Sequence, residues 1–163
     1  MKLKSFFIFS LVFCILFSSI PMNKASAISY SIDFDINSKS VYLVNLDTGI
    51  SVYEKDKDKK CYPASTTKIM TYIIVTENIK DLDNTKVTVK QSILNRLNGT
   101  GSSTAGLIGG ETLTVTQLLN CLMIPSGNDA ALVLADYVGG GSITNFVKMM
   151  NKKAKELGCE NTH

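Results

Sequence analysis

The sequence predicts an α/β (α+β) fold in which an N-terminal β-hairpin precedes a largely helical portion. Residues 41–46 and 50–53 are predicted strands on either side of Asp47-Thr48-Gly49, a turn that places glycine where a positive φ is needed. Four longer segments downstream have the length or the apolar spacing of helices. The chain of 163 residues is long enough to bury one ordinary hydrophobic core.

Residues 1–27 are predicted to be a secretory signal peptide. They combine a basic start, an apolar run from Phe6 to Phe17, and a small-x-small cleavage site that ends at Ala27. The apolar run is shorter than the ~20 residues that cross a bilayer, which disfavours an uncleaved anchor. The prediction is therefore an exported protein of the cell envelope or the extracellular space, with its folded domain at residues 28–163.

Charge and cysteine content exclude two classes of protein. Lys and Arg total 17 against 14 for Asp and Glu, and three of the lysines lie in the leader, so the rest of the chain is neutral overall. A neutral balance argues against nucleic-acid binding, which needs a clustered basic excess. Beyond the leader only Cys61, Cys121 and Cys159 remain, and this odd number predicts unpaired small hydrophobes rather than a disulfide framework.

Histidine is almost absent, which restricts the possible chemistry. The single His163 is the last residue of the sequence. This argues against a Ser-His-Asp triad, a Cys-His pair or a zinc site inside the fold. Any catalysis by this chain has to proceed without histidine.

The helical portion is predicted to follow Pro63. Val87–Val89 is a predicted short strand, the Gly/Ser/Thr-rich residues 98–110 form a predicted loop, and three glycines after Val138 end a helix. The predicted helices are Ala64–Asn78, Gln91–Leu97, Thr114–Leu122, Asp129–Val138 and the amphipathic Ile143–Leu157.

Ser65-Thr66-Thr67-Lys68, at the start of the first long helix, is a candidate nucleophile and base. Positions three apart share a helix face, so Lys68 can reach the hydroxyl of Ser65. The helix N-terminus and burial both favour a neutral amine that can take a proton from serine. A serine can be made nucleophilic in this way without histidine. Alone the spacing is weak, because chance supplies about one or two such pairs in a chain of this composition.

Ser126-Gly127-Asn128 is the second candidate element, in a turn between two apolar helices. Its hydroxyl and amide offer a proton relay and a hydrogen-bonding clamp. The structural alternative is that Ser126 or Asn128 caps the helix that follows. Both interpretations remain open on the residues alone.

The two elements together resemble the first and second motifs of the serine-type D-alanyl-D-alanine carboxypeptidases, the low-molecular-mass penicillin-binding proteins of peptidase family S11. The similarity lies in PASTTKIMT around Ser65 and PSGNDAALVLAD around Ser126, and Gly127 is typical of the carboxypeptidases rather than of class A β-lactamases. It continues through YLVNLDTG, GSSTAGLIGGETLTVTQLL and FVKMMNKKAKELGCENTH, over essentially all of residues 28–163.

The resemblance implies a β-lactamase/transpeptidase-like fold and a role for each motif residue. Ser65 would attack the bond between two D-Ala residues of a peptidoglycan stem peptide, and its backbone N–H would form half of an oxyanion hole. Lys68 would be the general base, Ser126 would relay a proton to the leaving D-Ala, and Asn128 would hold the substrate amide and orient Lys68. No metal or organic cofactor is implied, and β-lactam antibiotics would act as inhibitors.

The sequence departs from this family in one respect. The family carries a third motif, Lys-Thr-Gly, later in the chain, and no Lys-Thr-Gly occurs among these 163 residues. We therefore expect an N-terminal fragment, incomplete at the C-terminus, which also lacks several sheet strands and any C-terminal membrane-binding segment. The alternatives are a non-catalytic envelope protein that binds peptidoglycan or penicillin and, more weakly, a serine β-lactamase.

Overall fold

The computed structural model describes residues 36–163, so the predicted signal peptide lies outside the described residues. The chain divides into two compact units on either side of the Cys61–Tyr62 bond. In chain order the elements are β1 Val41–Val44, β2 Ser51–Lys55, α1 Thr67–Asn78, β3 Lys86–Thr88, α2 Gln91–Leu94, β4 Thr112–Thr114, α3 Val115–Met123, α4 Asn128–Val138 and α5 Ile143–Glu156. Two 3₁₀ turns, Ala64–Thr66 and Asn95–Leu97, precede α1 and follow α2.

The first unit contains the predicted hairpin. β1 and β2 pair antiparallel, with Val41 opposite Lys55. Asn45 ends β1 earlier than predicted, because its side-chain oxygen accepts the backbone N–H groups of residues 47 and 48, each at 3.0 Å. Gly49 closes the turn with a φ of 67° and an N–H bond of 2.8 Å to the Asn45 carbonyl.

The second unit is a helical cluster with a small sheet. α4 packs against α1, α2, α3 and α5, and this makes it the central helix of the unit. β3 and β4 pair antiparallel, with Val87 opposite Leu113. The most deeply buried side chains come from all four of the longer helices and from the residue that follows β3. They are Val75, Val89, Val115, Leu118, Leu122, Leu134 and Phe146. A core built around α4 fixes the start of that helix, where Asn128 lies.

Most predicted helices are confirmed, with ends set by local capping. Thr114 is the N-cap of α3. Its hydroxyl accepts the Gln117 N–H at 3.2 Å, and the Gln117 side-chain oxygen accepts the Thr114 N–H at 2.8 Å. Ser142 caps α5 by accepting the Asn145 N–H, without a reciprocal bond. The prediction missed β4, which is only three residues long.

The three cysteines of the described residues are free, as predicted. Cys61 and Cys159 are exposed. Cys121 is half-buried, and burial, followed by the charges of Asp129 and Glu111, raises the pKa of its thiol.

Within residues 36–163, no single helix has the length and hydropathy of a membrane span. α4 and α5 pass that test only when they are taken as one pair, and the two helices bend by 91° at their junction.

Candidate active site

Ser65 lies in the exposed 3₁₀ turn Ala64–Thr66, directly before α1. Ala64 has a φ of 49°, a left-handed conformation that is uncommon for a residue with a side chain. The turn is closed by the Thr66 hydroxyl and N–H, which donate to the Pro63 carbonyl at 2.6 Å and 3.1 Å. Ser65 therefore sits one turn before Lys68, as the motif spacing predicts, and the two side chains share a face.

Lys68 is the centre of the cluster. Its side chain is buried, with the residue only 7% exposed. Its Nζ lies 3.3 Å from Ser65 Oγ, 3.0 Å from Ser126 Oγ and 3.1 Å from Asn128 Oδ1. All three partners are neutral oxygens, and in the part of the chain that the structure describes no carboxylate lies within ion-pair distance of this nitrogen.

Ser126 completes a triangle with the other two groups. It joins α3 to α4 with a φ of 57°, and its hydroxyl donates to Ser65 Oγ at 3.0 Å. A hydroxyl that contacts both the candidate nucleophile and the amine can pass a proton between them. The structure thus brings together all four predicted site residues, Ser65, Lys68, Ser126 and Asn128.

The alternative that Ser126 or Asn128 caps α4 is wrong. The N-cap position belongs to Gly127, and no side chain caps the helix there. The Ser126 hydroxyl and the Asn128 oxygen are instead occupied by Lys68 and Ser65. Both polar side chains therefore serve the cluster rather than the end of the helix.

A loop residue that the sequence did not single out holds the second motif. The Asn128 N–H and side-chain Nδ2 donate to the Ser103 carbonyl at 2.9 Å and 3.0 Å. The Ser103 hydroxyl donates to the Ser126 carbonyl at 3.0 Å. Ser103 lies in a stretch rich in Gly, Ser and Thr, and nothing in the sequence distinguishes it from its neighbours.

Asp129 is a second functional candidate that sequence reasoning missed. It is 2% exposed and accepts backbone N–H groups from Ala105, Gly106, Leu107 and Ala130, at 2.9 to 3.0 Å. Burial by itself raises the pKa of this carboxyl, but the four N–H groups favour the charged form and together hold the pKa below its usual value. The sequence carried no distinctive signal, because an acid in the first turn of a helix is common.

The lowered pKa of Asp129 predicts a specific pH dependence of stability. The unfolded carboxyl titrates near pH ~3.9, and the folded one titrates lower. Its stabilising contribution is therefore complete above pH ~4 and is lost as the pH falls through the folded pKa. Urea unfolding from pH 6 to 2.5 should show a smaller loss of stability at low pH for Asp129→Asn than for the wild type. Identical slopes for the two proteins would contradict the assignment.

The arrangement suits nucleophilic acyl transfer: it has a hydroxyl nucleophile, an amine that can act as base, and a second hydroxyl between them. Within residues 36–163, no group of three or more His, Cys, Asp or Glu side chains is placed to hold a metal ion.

Comparisons with known proteins identify the family of the chain. Residues 24–163 match the family model described as D-alanyl-D-alanine carboxypeptidase. A D-alanyl-D-alanine carboxypeptidase of Bacillus subtilis is 41% identical over 124 residues, which are 76% of this chain and 31% of the relative. An Escherichia coli D-alanyl-D-alanine carboxypeptidase is 36% identical over 133 residues, 78% of this chain and 33% of the relative.

Solved structures give the same result for the fold. The crystal structure of the Streptomyces K15 DD-transpeptidase has a TM-score of 0.75 and 39% identity, and the match covers 82% of this chain and 53% of that one. A D-alanyl-D-alanine carboxypeptidase from Francisella tularensis has a TM-score of 0.71 and 31% identity, over 88% of this chain and 36% of that one. The predicted α/β fold is thereby confirmed, and the chain spans between about a third and about half of the proteins it matches.

Proposed function

The chain belongs to the D-alanyl-D-alanine carboxypeptidase family, and from this membership we propose that it carries the acyl-transfer site of a serine-type D-Ala-D-Ala carboxypeptidase. The supporting observation is the contact of Lys68 Nζ with Ser65, Ser126 and Asn128, all within 3.3 Å. The proposed substrate is the D-Ala-D-Ala end of a peptidoglycan stem peptide.

In the proposed acylation step, Ser65 Oγ attacks the carbonyl carbon between the two D-Ala residues. Lys68, as the neutral amine, takes the hydroxyl proton, and the Ser65 backbone N–H stabilises the oxyanion that forms. Collapse of this intermediate breaks the C–N bond. Ser126 passes a proton to the amine of the leaving D-Ala, and water later hydrolyses the ester on Ser65.

Asn128 is proposed to orient both reactants. Its Oδ1 accepts from Lys68 at 3.1 Å, which aims the amine at the two hydroxyls. Its amide is also proposed to hold the peptide backbone of the substrate. Fixing the reacting groups in this way lowers the entropic part of the barrier.

The proposal extends to inhibitors and location. β-lactam antibiotics would acylate the same Ser65 hydroxyl. The leader-like residues 1–27 support export across the cytoplasmic membrane to the envelope, where peptidoglycan lies. The Lys-Thr-Gly motif of the family is not among these 163 residues, so the activity is proposed for a protein that includes this motif. No observation favours the β-lactamase or the non-catalytic alternative.

The function is tested by D-Ala release from diacetyl-L-lysyl-D-alanyl-D-alanine, with the protein purified as its host cell produces it. We expect release of one D-Ala per peptide and none from the matched L-Ala-L-Ala peptide. Binding of benzylpenicillin without D-Ala release would identify a non-catalytic binding protein. Rapid turnover of benzylpenicillin would identify a β-lactamase, and either result would contradict the proposal.

A further inference from the structure

We infer that Asp129 is a positioning residue of the proposed acyl-transfer site: its carboxylate fixes loop residues 105–107, and this loop fixes Ser103 and the Asn128 amide. The inference rests on the proposed function, since it concerns how that site is held in its reactive geometry. Asp129 does not contact Ser65 or Lys68 through any of its hydrogen bonds; it acts through the loop.

The carboxylate of Asp129 is bound by backbone groups alone. Oδ1 accepts the N–H of Ala105 and of Ala130, and Oδ2 accepts those of Gly106 and Leu107. No Lys or Arg of residues 36–163 forms an ion pair with it. A charge at this depth is costly to bury unless it is fully bonded, and three of its four donors come from the loop, so full bonding requires the loop to stay in this position.

Apart from the carboxylate, the loop is held by the bonds of Ser103 to Asn128 and Ser126 and by Leu107, which packs against the core. Residues 98–107 contain no helix or strand, and Gly99, Gly101 and Gly106 all have positive φ values. Because such glycines leave the backbone free to adopt other conformations, the position of the loop depends on specific bonds. All three backbone N–H groups of residues 105–107 donate to Asp129, so this carboxylate fixes the backbone of that part of the loop.

The position of the loop decides which end of the Asn128 amide faces Lys68. The Ser103 carbonyl accepts from Nδ2, so the other end of the amide, Oδ1, is left to accept from Lys68 Nζ. If the Ser103 carbonyl moved away, nothing among these bonds would keep the amide in that orientation. Asp129 therefore controls the geometry of Lys68 through two intermediate residues.

Gly127 shows how closely the loop and the motif are packed. A Cβ at this position would lie 2.6 Å from Asp129 Oδ1, 2.8 Å from the Cys121 carbonyl oxygen and 3.0 Å from Ala105 Cβ. No side chain fits in that space without displacing the loop or the carboxylate. The glycine of the second motif thus leaves room for the contact between the loop and the Asp129 carboxylate.

The test is Asp129→Asn in the host-produced protein, with the rate constant of acylation by benzylpenicillin as the readout. The amide offers one oxygen for four donors, so at least two of the N–H groups lose their acceptor. We expect faster hydrogen exchange at residues 105–107 and a fall in the acylation rate of about 10- to 100-fold. The matched control is Asp136→Asn, a second buried acid (8% exposed) about two turns further along α4, whose partner is Lys90 at 2.7 Å. It should leave acylation within about twofold of the wild type.

A double-mutant cycle separates positioning from a loss of stability. In an Asn128→Ala background the orienting amide is already gone, so Asp129→Asn should cause little further loss of acylation. The same fold-loss in both backgrounds would overturn the inference, because a purely structural effect adds independently. Wild-type acylation in Asp129→Asn, with amides 105–107 exchanging faster, would also overturn it.

Two further outcomes are distinguished by the design. If Asp129→Asn does not fold, Gly106→Ala replaces it. A side chain at this φ of 83° strains the loop backbone without meeting any neighbouring atom within 4 Å. This variant should also lower the acylation rate, and only when Asn128 is present. A wild-type protein that benzylpenicillin does not acylate would overturn the proposed function and this inference together. An acylated wild type with unaffected variants overturns this inference alone.

Discussion

Ser65→Ala is expected to abolish covalent labelling of the protein by benzylpenicillin while leaving its fold and stability unchanged. The substitution removes the only oxygen of the cluster that is proposed to bond to the substrate. Ser65 is exposed in a turn whose closing bonds are made by Thr66 and Pro63, so its loss should change the free energy of unfolding by no more than about 0.5 kcal/mol. We expect the labelling rate to fall by at least about 10⁴-fold.

The measurement is intact mass after incubation with benzylpenicillin, with far-UV circular dichroism as the check on folding. Ser102→Ala is the matched control, because Ser102 is an exposed serine in the neighbouring loop that bonds to Thr100. It should label at the wild-type rate. Undiminished labelling of a folded Ser65→Ala protein would mean that another residue is the nucleophile.

Lys68→Ala is expected to slow acylation by about 10²- to 10⁴-fold while the nucleophile stays in place. The alanine variant loses the amine that accepts the Ser65 proton, and it also leaves the oxygens of Ser126 and Asn128 without their common donor. Single-turnover acylation kinetics, followed by mass or by fluorescence of a labelled penicillin, provide the measurement.

Lys68→Arg separates the role of base from the role of charge. Arginine keeps the positive charge and the hydrogen-bond donors, but it does not lose its proton in proteins. The account therefore predicts that arginine does not rescue acylation. A variant with arginine that acylates within about tenfold of the wild type would show that Lys68 supplies charge or structure rather than a base.

The parts of the fold that the sequence predicted well are those specified by local patterns. The hairpin follows from Asp47-Thr48-Gly49, and α5 follows from apolar residues such as Phe146 and Ala154 at helical spacing. The contact between Ser65 and Lys68 is local as well, because the two residues are one helical turn apart.

The contact of Lys68 with Ser126 and Asn128 is different, since about 60 residues separate them along the chain. No local pattern specifies this contact. It depends on α1 packing against α4, and the sequence indicated it only through the family resemblance of the two motifs. Family membership and the geometry of the structure are thus independent arguments for one cluster.

The missed features depend on contacts between distant segments. β4 has only three residues, and its Thr112 is exposed, so its pattern is indistinguishable from a loop until it pairs with β3. Asp129 could not be told from an ordinary helical residue, because the loop N–H groups that bond to its carboxylate lie 22 to 24 positions earlier in the chain. The alternative that Ser126 or Asn128 caps α4 failed for the same reason, because both side chains bond to Lys68, 58 and 60 positions earlier in the chain.

In the proposed function, the serine is activated without histidine. Lys68 contacts only neutral oxygens within the described residues, so no carboxylate stabilises its ammonium form by direct pairing.

The most direct test of the account is to locate the benzylpenicillin adduct on the protein purified from its host. Intact mass gives the number of adducts, and peptide mapping by tandem mass spectrometry gives the residue. The account predicts one adduct per chain, on the Ser65 side chain. An adduct on Ser126 or on another residue, or a folded protein that gains no adduct, would contradict it.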